Sequence, residues 1–280
     1  MSGFSPDWLA AREPADGRAR HAGLLADLGA VFAGRESVTV VDLGCGTGSN
    51  LRAVASHLPR RQRWRLVDHD AALLAAARGR LAAWADRAER EGNDLRLIVG
   101  GRDLQVSFTE TDLAAAPEAA LDGSPDLVTA AALFDLASHP WIGRLARSVA
   151  DKRAAFYTAL TYNGDDTWKP PHPDDDAILD AFLEHQRRDK GFGPAAGPAA
   201  TDLLAEAFGA LGYRVTTGAS PWRLDTAEQV LLRELAAGVA QAVRETGRMP
   251  EDRVSAWLAA RSKGASCMVG HTDLLATSPA

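Results

Sequence analysis

The chain has 280 residues, 46% of them hydrophobic, and a formal net charge of −6. A chain of this length and composition can bury a full core, either as one large domain or as one domain with an elaboration. The acidic balance argues against a sequence-wide electrostatic grip on nucleic acid, so we expect no nucleic-acid partner.

Compartment and metal content are indicated by what the sequence lacks. The first residues show neither the basic nor the apolar region of a secretory leader, and no apolar run reaches the roughly 18 residues of a membrane helix. Cys45 and Cys267 lie far apart, without the spacing of a metal site. We therefore expect a cytoplasmic protein with free thiols, no membrane partner and no bound metal.

The first half of the chain alternates between helical and strand patterns. A helical pattern runs from Pro6 to about Phe32 and should break near Pro14, because proline disfavours helical geometry in the residue before it. An unbroken β-branched and apolar run then predicts a buried parallel strand. The predicted elements that follow the first helix are a strand at 38–43, a helix ending near 59, a strand at 64–68, a helix at 71–88 and a glycine-turn hairpin at 95–99 and 104–109.

The second half begins with the same alternation and then becomes irregular. Its predicted elements are strands at 126–133 and 154–162 with a helix at 140–149 between them, helices at 174–188 and 201–211, a strand at 213–224, helices at 225–246 and 253–261, and a last strand at 267–276. Strands that alternate with helices indicate βαβ units, and hence a mostly parallel sheet with helices on both faces.

The most informative stretch is the glycine turn after the first strand, Val40–Gly48. A phosphate-binding P-loop needs a lysine and a hydroxyl residue after its last glycine, and here Ser49 and Asn50 follow, which excludes it. A dinucleotide fingerprint requires G-x-G-x-x-G, but the third glycine comes one residue early. That match is weak.

The same nine residues read apolar-apolar-acid-apolar-Gly-x-Gly-x-Gly. This closely resembles the first motif of the class I S-adenosylmethionine-dependent methyltransferases, and the resemblance extends over roughly residues 38–162. It implies a Rossmann-like, doubly wound α/β fold whose seven-stranded sheet ends in a reversed strand, here with a β-hairpin insertion. We divide the single expected domain 1–280 into a helical cap (1–35), a cofactor-binding core (36–162), a substrate lid (163–200) and the rest of the sheet (201–280).

The resemblance also implies where S-adenosylmethionine would bind. Asp68, at the end of the second strand, would accept the two ribose hydroxyls, since a carboxylate has two oxygens. Asp112 would contact the adenine amino group, and a basic residue before the first strand would hold the carboxylate of the methionine moiety. The predicted cofactor-binding residues are Arg20, Asp42, Gly44, Cys45, Gly46, Gly48, Asn50, Asp68, His69, Asp112, Leu113 and Leu133.

Three of these acids have structural alternatives. Asp68 could instead be a strand-end or helix-capping acid, and Asp112 could cap a helix that starts at Ala114. Asp42 could tie down the backbone amides of the glycine loop. The sequence leaves these alternatives open.

The segment 163–200 leaves the carboxyl edge of the predicted sheet, where ligands of such sheets bind, and is too long for a plain connection. The predicted substrate-binding residues are Phe134, Tyr162, Trp168, Arg188 and Phe192, and the candidate general bases are His139, His172 and His185. The acids 174–176 at a helix start are explained as cap and macrodipole partners rather than as metal ligands.

These observations predict a methyltransferase that uses S-adenosylmethionine and releases S-adenosylhomocysteine, with a small molecule as acceptor. In-line placement of the acceptor would supply much of the acceleration. Two alternatives remain: a nicotinamide-dependent oxidoreductase that uses the same turn, and a non-catalytic module that binds S-adenosylmethionine. The absence of a Tyr-x-x-x-Lys pair weighs against the oxidoreductase.

Overall fold

A mixed β-sheet forms the middle layer, with helices on both faces, in a computed structural model that describes residues 5–262 and 264–279. The strands are β1 Ser37–Leu43, β2 Arg61–Asp68, β3 Arg87–Glu91, β4 Asp94–Val99, β5 Arg102–Glu110, β6 Leu127–Ala131, β7 Ala155–Lys169, β8 Arg214–Ala219, β9 Trp222–Leu224 and β10 Ser266–Thr277. The helices are α1 Pro6–Ala19, α2 Ala22–Val31, α3 Ser49–Val54, α4 Ala71–Trp84, α5 Pro117–Ala120, α6 His139–Asp151, α7 Asp175–Gln186, α8 Ala200–Ala210, α9 Gln229–Thr246 and α10 Glu251–Arg261. Among the described residues, no helix is long and apolar enough to cross a membrane.

The strand order is β3-β4-β5-β2-β1-β6-β7-β10-β8, and β9 pairs with the free part of β10. The central strands β5, β2, β1, β6 and β7 are parallel, whereas β10 runs antiparallel to both β7 and β8. Right-handed crossovers through helices on both faces explain the parallel part. The predicted doubly wound α/β class with a reversed final strand is confirmed.

Residues of β1 show why the sheet has two hydrophobic layers. Val40 belongs to the core on one face and its neighbour Val41 to the core on the other, because successive strand side chains point to opposite faces. Both valines are buried, as are Val38 and Leu43. An unbroken apolar run is therefore what a central strand with helices on both sides requires.

Two strand boundaries differ from the prediction. The helix α4 ends at Trp84, and the residues expected to end it form the edge strand β3, whose side chains are all exposed. An edge strand without a buried face has no apolar alternation that could reveal it. The predicted strand 213–224 is divided at Ser220 and Pro221, so that β8 and β9 pair with different parts of β10.

The N-terminal helix α1 also differs, because it continues through Pro14 and ends at Ala19. Contacts on both sides of the proline hold the helix: Glu13 pairs with Arg52, and Asp16 accepts a hydrogen bond from the indole of Trp222. The chain breaks instead at Arg20, which is extended with ψ 138°.

The strand β7 is longer than expected and ends at Lys169 instead of Tyr162. Its last residues pair with the start of β10, so the segment expected to be a lid begins as a sheet extension. The helices α7, α9 and α10 pack together beside this extension, where Trp168 meets Trp257 edge-on with ring centroids 5.4 Å apart.

Candidate functional site

The glycine turn lies at the carboxyl edge of β1, and its glycine positions have little room for a side chain. Gly46 has φ 52°, and a Cβ there would lie 3.1 Å from Cδ1 of Leu9. A Cβ on Gly44, whose φ is 60°, would lie 3.3 Å from Cδ1 of Leu133. Only glycine combines this backbone conformation with so little space. The turn is therefore bordered by α1 on one side and by the end of β6 on the other.

Asp68 holds the turn from the end of β2. Its Oδ2 accepts a hydrogen bond from the amide of Gly46 at 2.9 Å, and its Oδ1 accepts one from the amide of Asp70 at 3.0 Å. The side chain is buried, whereas the neighbouring His69 is exposed, with Nδ1 3.5 Å from Oδ1 of Asp68. The capping alternative is excluded for Asp68, because Asp70 accepts the bonds from the first amides of α4.

Asp42 is fully buried behind the turn. Its Oδ1 accepts a hydrogen bond from Nδ2 of Asn50 at 2.7 Å, and the same amide group donates to Oγ1 of Thr129 at 3.1 Å. Burial raises the pKa of Asp42 to about 7, against the opposing effects of the Asn50 bond and the Arg20 charge. Asp42 does not tie down the backbone of the glycine turn, which was the structural alternative for this acid. The turn amide that is held by an acid, that of Gly46, donates to Asp68.

Arg20 lies in the break between α1 and α2 and is only 8% exposed. Its Nε and Nη1 are buried and find no hydrogen-bond partner in the described part of the chain. The nearby buried polar atoms without partners are Oδ2 of Asp42, Oδ1 of Asn50, Oγ1 of Thr47 and Oγ1 of Thr158. Since buried polar groups are almost always paired in native proteins, these donors and acceptors fit a ligand that carries both a carboxylate and an ammonium.

The helix α1 covers the turn from above. Nε and Nη2 of Arg52 donate to the two carboxylate oxygens of Glu13, at 2.7 and 2.6 Å. Nη1 of Arg52 donates to the carbonyl of Thr47 at 3.0 Å. Arg80 donates to the carbonyl of Pro6 at 3.0 Å. These contacts join α1 to α3 and α4, on the two sides of the glycine turn.

Asp112 and Leu113 follow β5 at the rim of the same edge. Oδ1 of Asp112 accepts a bond from the amide of Ala114 at 2.9 Å, but α5 begins only at Pro117, so this bond closes a turn and does not cap a helix. Leu113 is buried, and its carbonyl accepts a bond from the Trp141 indole at 2.7 Å. Asp112 is exposed.

A second polar cluster, formed by Tyr162, Asp166, Asp135 and His271, lies beyond the end of β6 and along the extended part of β7. The hydroxyl of Tyr162 donates to Oδ2 of Asp166 at 2.9 Å, and Asp135 follows β6 beside the amide of Tyr162. Burial raises the pKa of Asp135 and of Asp166 to about 6 in each case. One oxygen of each carboxyl, Oδ1, is buried and without a partner in the described residues. Sequence reasoning missed both acids, although Asp135 directly follows the predicted site residue Phe134.

The backbone around this cluster is unusual. Ala132, just after β6, and Leu160, within β7, have φ of 51° and 60°. Non-glycine residues rarely adopt such angles, and where they do the strain tends to lie at functional sites. His271 of β10 completes the cluster: it is 6% exposed, and its pKa is lowered to about 3 by burial and by the charge of Arg12.

The predicted histidine bases lie elsewhere. His172 accepts a bond at Nδ1 from the amide of Asp174 at 3.2 Å, at the entry to α7. His185 lies between Glu245, 2.9 Å from its Nε2, and Lys190, 3.2 Å from its Nδ1. His139 is exposed at the start of α6. None of the three histidines belongs to the cluster around Arg20 and Asp42 or to the cluster around Tyr162.

Of the predicted substrate-binding residues, only Tyr162 lies in the second cluster. Phe134 is buried in the hydrophobic core, with its ring centroid 5.4 Å from that of Phe156. Trp168 is a packing group, as described above, and Arg188 donates to the carbonyl of Glu245 on the outer side of α9. Phe192 packs edge-on against Trp141, at 5.1 Å.

Of the roles expected for the acids 174–176, the helix cap needs a correction, whereas Asp175 and Asp176 do lie in the first turn of α7, as macrodipole partners would. Asp174 makes no side-chain cap bond and pairs with Arg253, and Asp175 pairs with the buried Arg261. These ion pairs attach α7 to α10. Among the described residues, no group of three or more histidines, cysteines and acids is arranged to hold a metal ion.

Two shallow clefts lie at the opposite edge, at the amino ends of the strands, and include Thr39 in one and Phe32 in the other. Ligands of open α/β sheets bind beyond the carboxyl ends of the strands, where the turn and both polar clusters lie. We therefore assign the candidate site to the carboxyl edge.

No protein-family model matches the chain, and no curated protein matches its sequence. Solved structures do match. A cyclopropane-fatty-acyl-phospholipid synthase-like protein from Lactobacillus casei is 17% identical, with a TM-score of 0.58 over 98% of this chain and 94% of the other. A cyclopropane synthase from Mycobacterium tuberculosis is 11% identical, with a TM-score of 0.50 over 98% and 95%.

Among further matches is an S-adenosylmethionine-dependent methyltransferase from Thiobacillus denitrificans in complex with S-adenosyl-L-homocysteine, 18% identical, with a TM-score of 0.45 over 98% of this chain and 99% of the other. For the two structures with TM-scores of 0.58 and 0.50, which are 17% and 11% identical, the likeness shows the fold alone. The strand order with its reversed β10 and the glycine turn after β1 agree with it. The chain has the fold of the class I S-adenosylmethionine-dependent methyltransferases.

Proposed function

We propose that this protein transfers the methyl group of S-adenosylmethionine to a small-molecule acceptor. The observation that carries the proposal is the combination of the glycine turn, held by Asp68, with the buried and unpartnered polar atoms of Arg20 and Asp42. A fold alone does not define a function, whereas a site with the right donors and acceptors supports one.

The unpartnered groups correspond to the parts of the cofactor. Arg20 would bind the carboxylate of the methionine moiety, because its guanidinium offers two buried N–H groups. Asp42 would face the ammonium with its unpaired Oδ2. Asp68 would accept the ribose hydroxyls, and the glycine turn lets the ligand approach the backbone. Cys45, Gly48 and Leu133 would contribute packing around it.

Bound S-adenosylmethionine would supply an activated methyl group on a sulfonium. The residues of the chain orient the ligand and exclude water: α1 covers the turn through Leu9 and Glu13, and the end of β6 closes the other side through Leu133. This enclosure supports a small acceptor over a macromolecular one. Holding both reactants in line is a large part of the catalysis expected here.

Titration calorimetry with S-adenosylhomocysteine tests the proposal directly. We expect binding by the wild type and a loss of about tenfold or more in Asp68→Ala, since charged hydrogen bonds contribute about 1.5–3 kcal/mol. Asp151→Ala, at the exposed end of α6, serves as the matched control. Absence of binding at millimolar ligand by the folded wild type would contradict the proposal.

The two alternatives have separate readouts. A nicotinamide-dependent oxidoreductase would change the fluorescence of NADH on titration. The reversed strand β10 argues against this function, because the dinucleotide-binding sheet has a different strand order. A non-catalytic module would bind S-adenosylhomocysteine yet yield no methylated product with any acceptor. Mass spectrometry after incubation with labelled S-adenosylmethionine and an extract of small metabolites distinguishes it from the enzyme.

A further inference from the structure

The end of β6 lies between the two polar clusters of the site. Leu133 borders the glycine turn through its contact at Gly44, and two residues later Asp135 lies beside Tyr162. Because β6 is the neighbour of β1 on one side and of β7 on the other, its carboxyl end separates the cofactor turn from the cluster around Tyr162. Asp135 is thus the acid at the junction.

Asp135 has the properties of a proton acceptor. Its Oδ1 is buried and has no hydrogen-bond partner among the described residues, so its capacity to accept a hydrogen bond or a proton is unused. The charged groups that act on it are Arg12 from α1 and Lys190 after α7, and the hydroxyl of Tyr162 on β7 lies near both Asp135 and Asp166. Burial outweighs the attraction of Arg12 and Lys190, which leaves the carboxyl more basic than an exposed aspartate.

A separate observation indicates that a ligand belongs here. His271, more than nine-tenths buried, has an unpartnered Nδ1, and its ring lies 6.3 Å from that of Tyr162 and 5.2 Å from that of Trp222. Buried ring nitrogens are usually hydrogen-bonded, and Nδ1 of His271 is not. A bound molecule would supply the missing hydrogen-bond partner. The two aromatic rings would provide its apolar walls.

We propose that Asp135 takes the proton of the methyl acceptor, and that the acceptor atom therefore carries a proton, as N–H, O–H and S–H groups do; this rests on the function proposed above. The acceptor atom gains the methyl group through its lone pair, and the electron pair of the broken carbon–sulfur bond stays on sulfur. Oδ1 of Asp135 receives the proton and later releases it to water. An acceptor without a proton on its reacting atom would not need this residue.

The test needs no knowledge of the acceptor. Sinefungin carries a primary amine where S-adenosylmethionine has its methyl group, so its ammonium probes whichever group faces that position, whereas S-adenosylhomocysteine has nothing there. We expect the wild type to bind sinefungin at least about tenfold more tightly than S-adenosylhomocysteine near neutral pH, as one charged hydrogen bond provides. Asp135→Asn should remove this preference and leave the affinity for S-adenosylhomocysteine within about twofold.

Controls separate the possible outcomes. Asp151→Asn should keep the preference, and Asp135→Glu should keep part of it. In the wild type the preference should decrease below about pH 6, and in Asp135→Asn it should not depend on pH. This pH series on the wild type can overturn the role of Asp135 even if the variant does not fold.

A preference that is the same in Asp135→Asn, or that does not change with pH in the wild type, would overturn the role of Asp135 alone. Equal loss of both ligands in a folded Asp135→Asn would indicate a structural role and would also overturn it. If the folded wild type bound neither ligand, the methyltransferase proposal itself would fail, and this inference with it.

Discussion

Leu9 of α1 lies directly over Gly46: a Cβ on that glycine would be 3.1 Å from Cδ1 of the leucine. On the other side, the amide of Gly46 donates to Asp68 at 2.9 Å. The glycine is therefore held between the helix that covers the site and the acid that would bind ribose. The position of α1 and the shape of the glycine turn depend on each other.

Gly46→Ala should weaken the binding of S-adenosylhomocysteine by about tenfold or more, because alanine is strained at φ 52° and its methyl group pushes against Leu9. Gly79→Ala is the matched control. Gly79 lies within α4 with open space around it, so alanine should leave binding unchanged and raise stability by about 0.5–1 kcal/mol. Equal affinity of the two variants in calorimetry would contradict the arrangement.

Glu13→Gln should loosen α1. The Glu13–Arg52 pair is partly buried, with side chains 29% and 10% exposed, and it links α1 to the carbonyl of Thr47 through Arg52. We expect faster hydrogen exchange in α1 and about threefold to tenfold faster release of S-adenosylhomocysteine in stopped-flow experiments. Arg18→Ala breaks the more exposed pair with Glu228 and should have little effect. Unchanged exchange in Glu13→Gln would show that the pair does not hold the helix.

Asp42→Asn should change how the stability of the ligand-free protein depends on pH. The folded-state pKa of about 7 lies above the ordinary value, so the native protein holds a proton that the unfolded chain releases above about pH 4. The stability from this group is complete below about pH 4 and is lost as pH rises through 7.

Asparagine keeps the shape and has no charge to bury. The wild type should therefore lose stability relative to Asp42→Asn between about pH 5 and pH 8, by on the order of 1 kcal/mol per pH unit at most. Urea unfolding at both pH values measures the difference, and each protein serves as its own reference. If the stability of the two proteins changed with pH in the same way, the Asp42 carboxyl would not be held neutral up to about pH 7 in the folded protein.

Arg261→Met should destabilise the protein without affecting the site. Arg261 is 1% exposed, donates to the carbonyl of Pro170 at 2.6 Å and pairs with Asp175, with Trp168 and Trp257 each 5.5 Å from its guanidinium. Removing one partner of a buried pair typically lowers the free energy of unfolding by about 3–5 kcal/mol. Because the Asp175 side chain is 24% exposed, we expect a loss near the lower end of that range.

Arg253→Ala breaks the neighbouring but half-exposed pair with Asp174 and should lower it by less than about 1 kcal/mol. Urea unfolding measures both changes. Affinity for S-adenosylhomocysteine should stay the same in each variant that remains folded. A smaller loss in Arg261→Met than in Arg253→Ala would show that burial does not govern these pairs.

Local patterns in the sequence were sufficient for the fold class and for the backbone conformation of the glycine turn. The apolar run of β1 predicts a central strand because both its faces are buried, and the alternate glycines predict a backbone without room for a Cβ. The charged edge strand β3 gave no such signal, since none of its side chains is buried. The helix α1 was expected to stop at Pro14 because local propensity does not include the tertiary contacts of Glu13 and Asp16 that hold it.

The proposed acceptor side of the site rests on tertiary structure alone. Histidines were the predicted bases because their ordinary pKa lies near neutrality, yet the folded chain desolvates the carboxyls of Asp135 and Asp166 and raises the pKa of both to about 6. An aspartate becomes a candidate base only through its surroundings, which come from β6, β7 and β10 at once. Sequence periodicity reports which residues are buried, whereas desolvation and unpaired hydrogen-bonding atoms depend on which elements meet, and only the folded chain determines that.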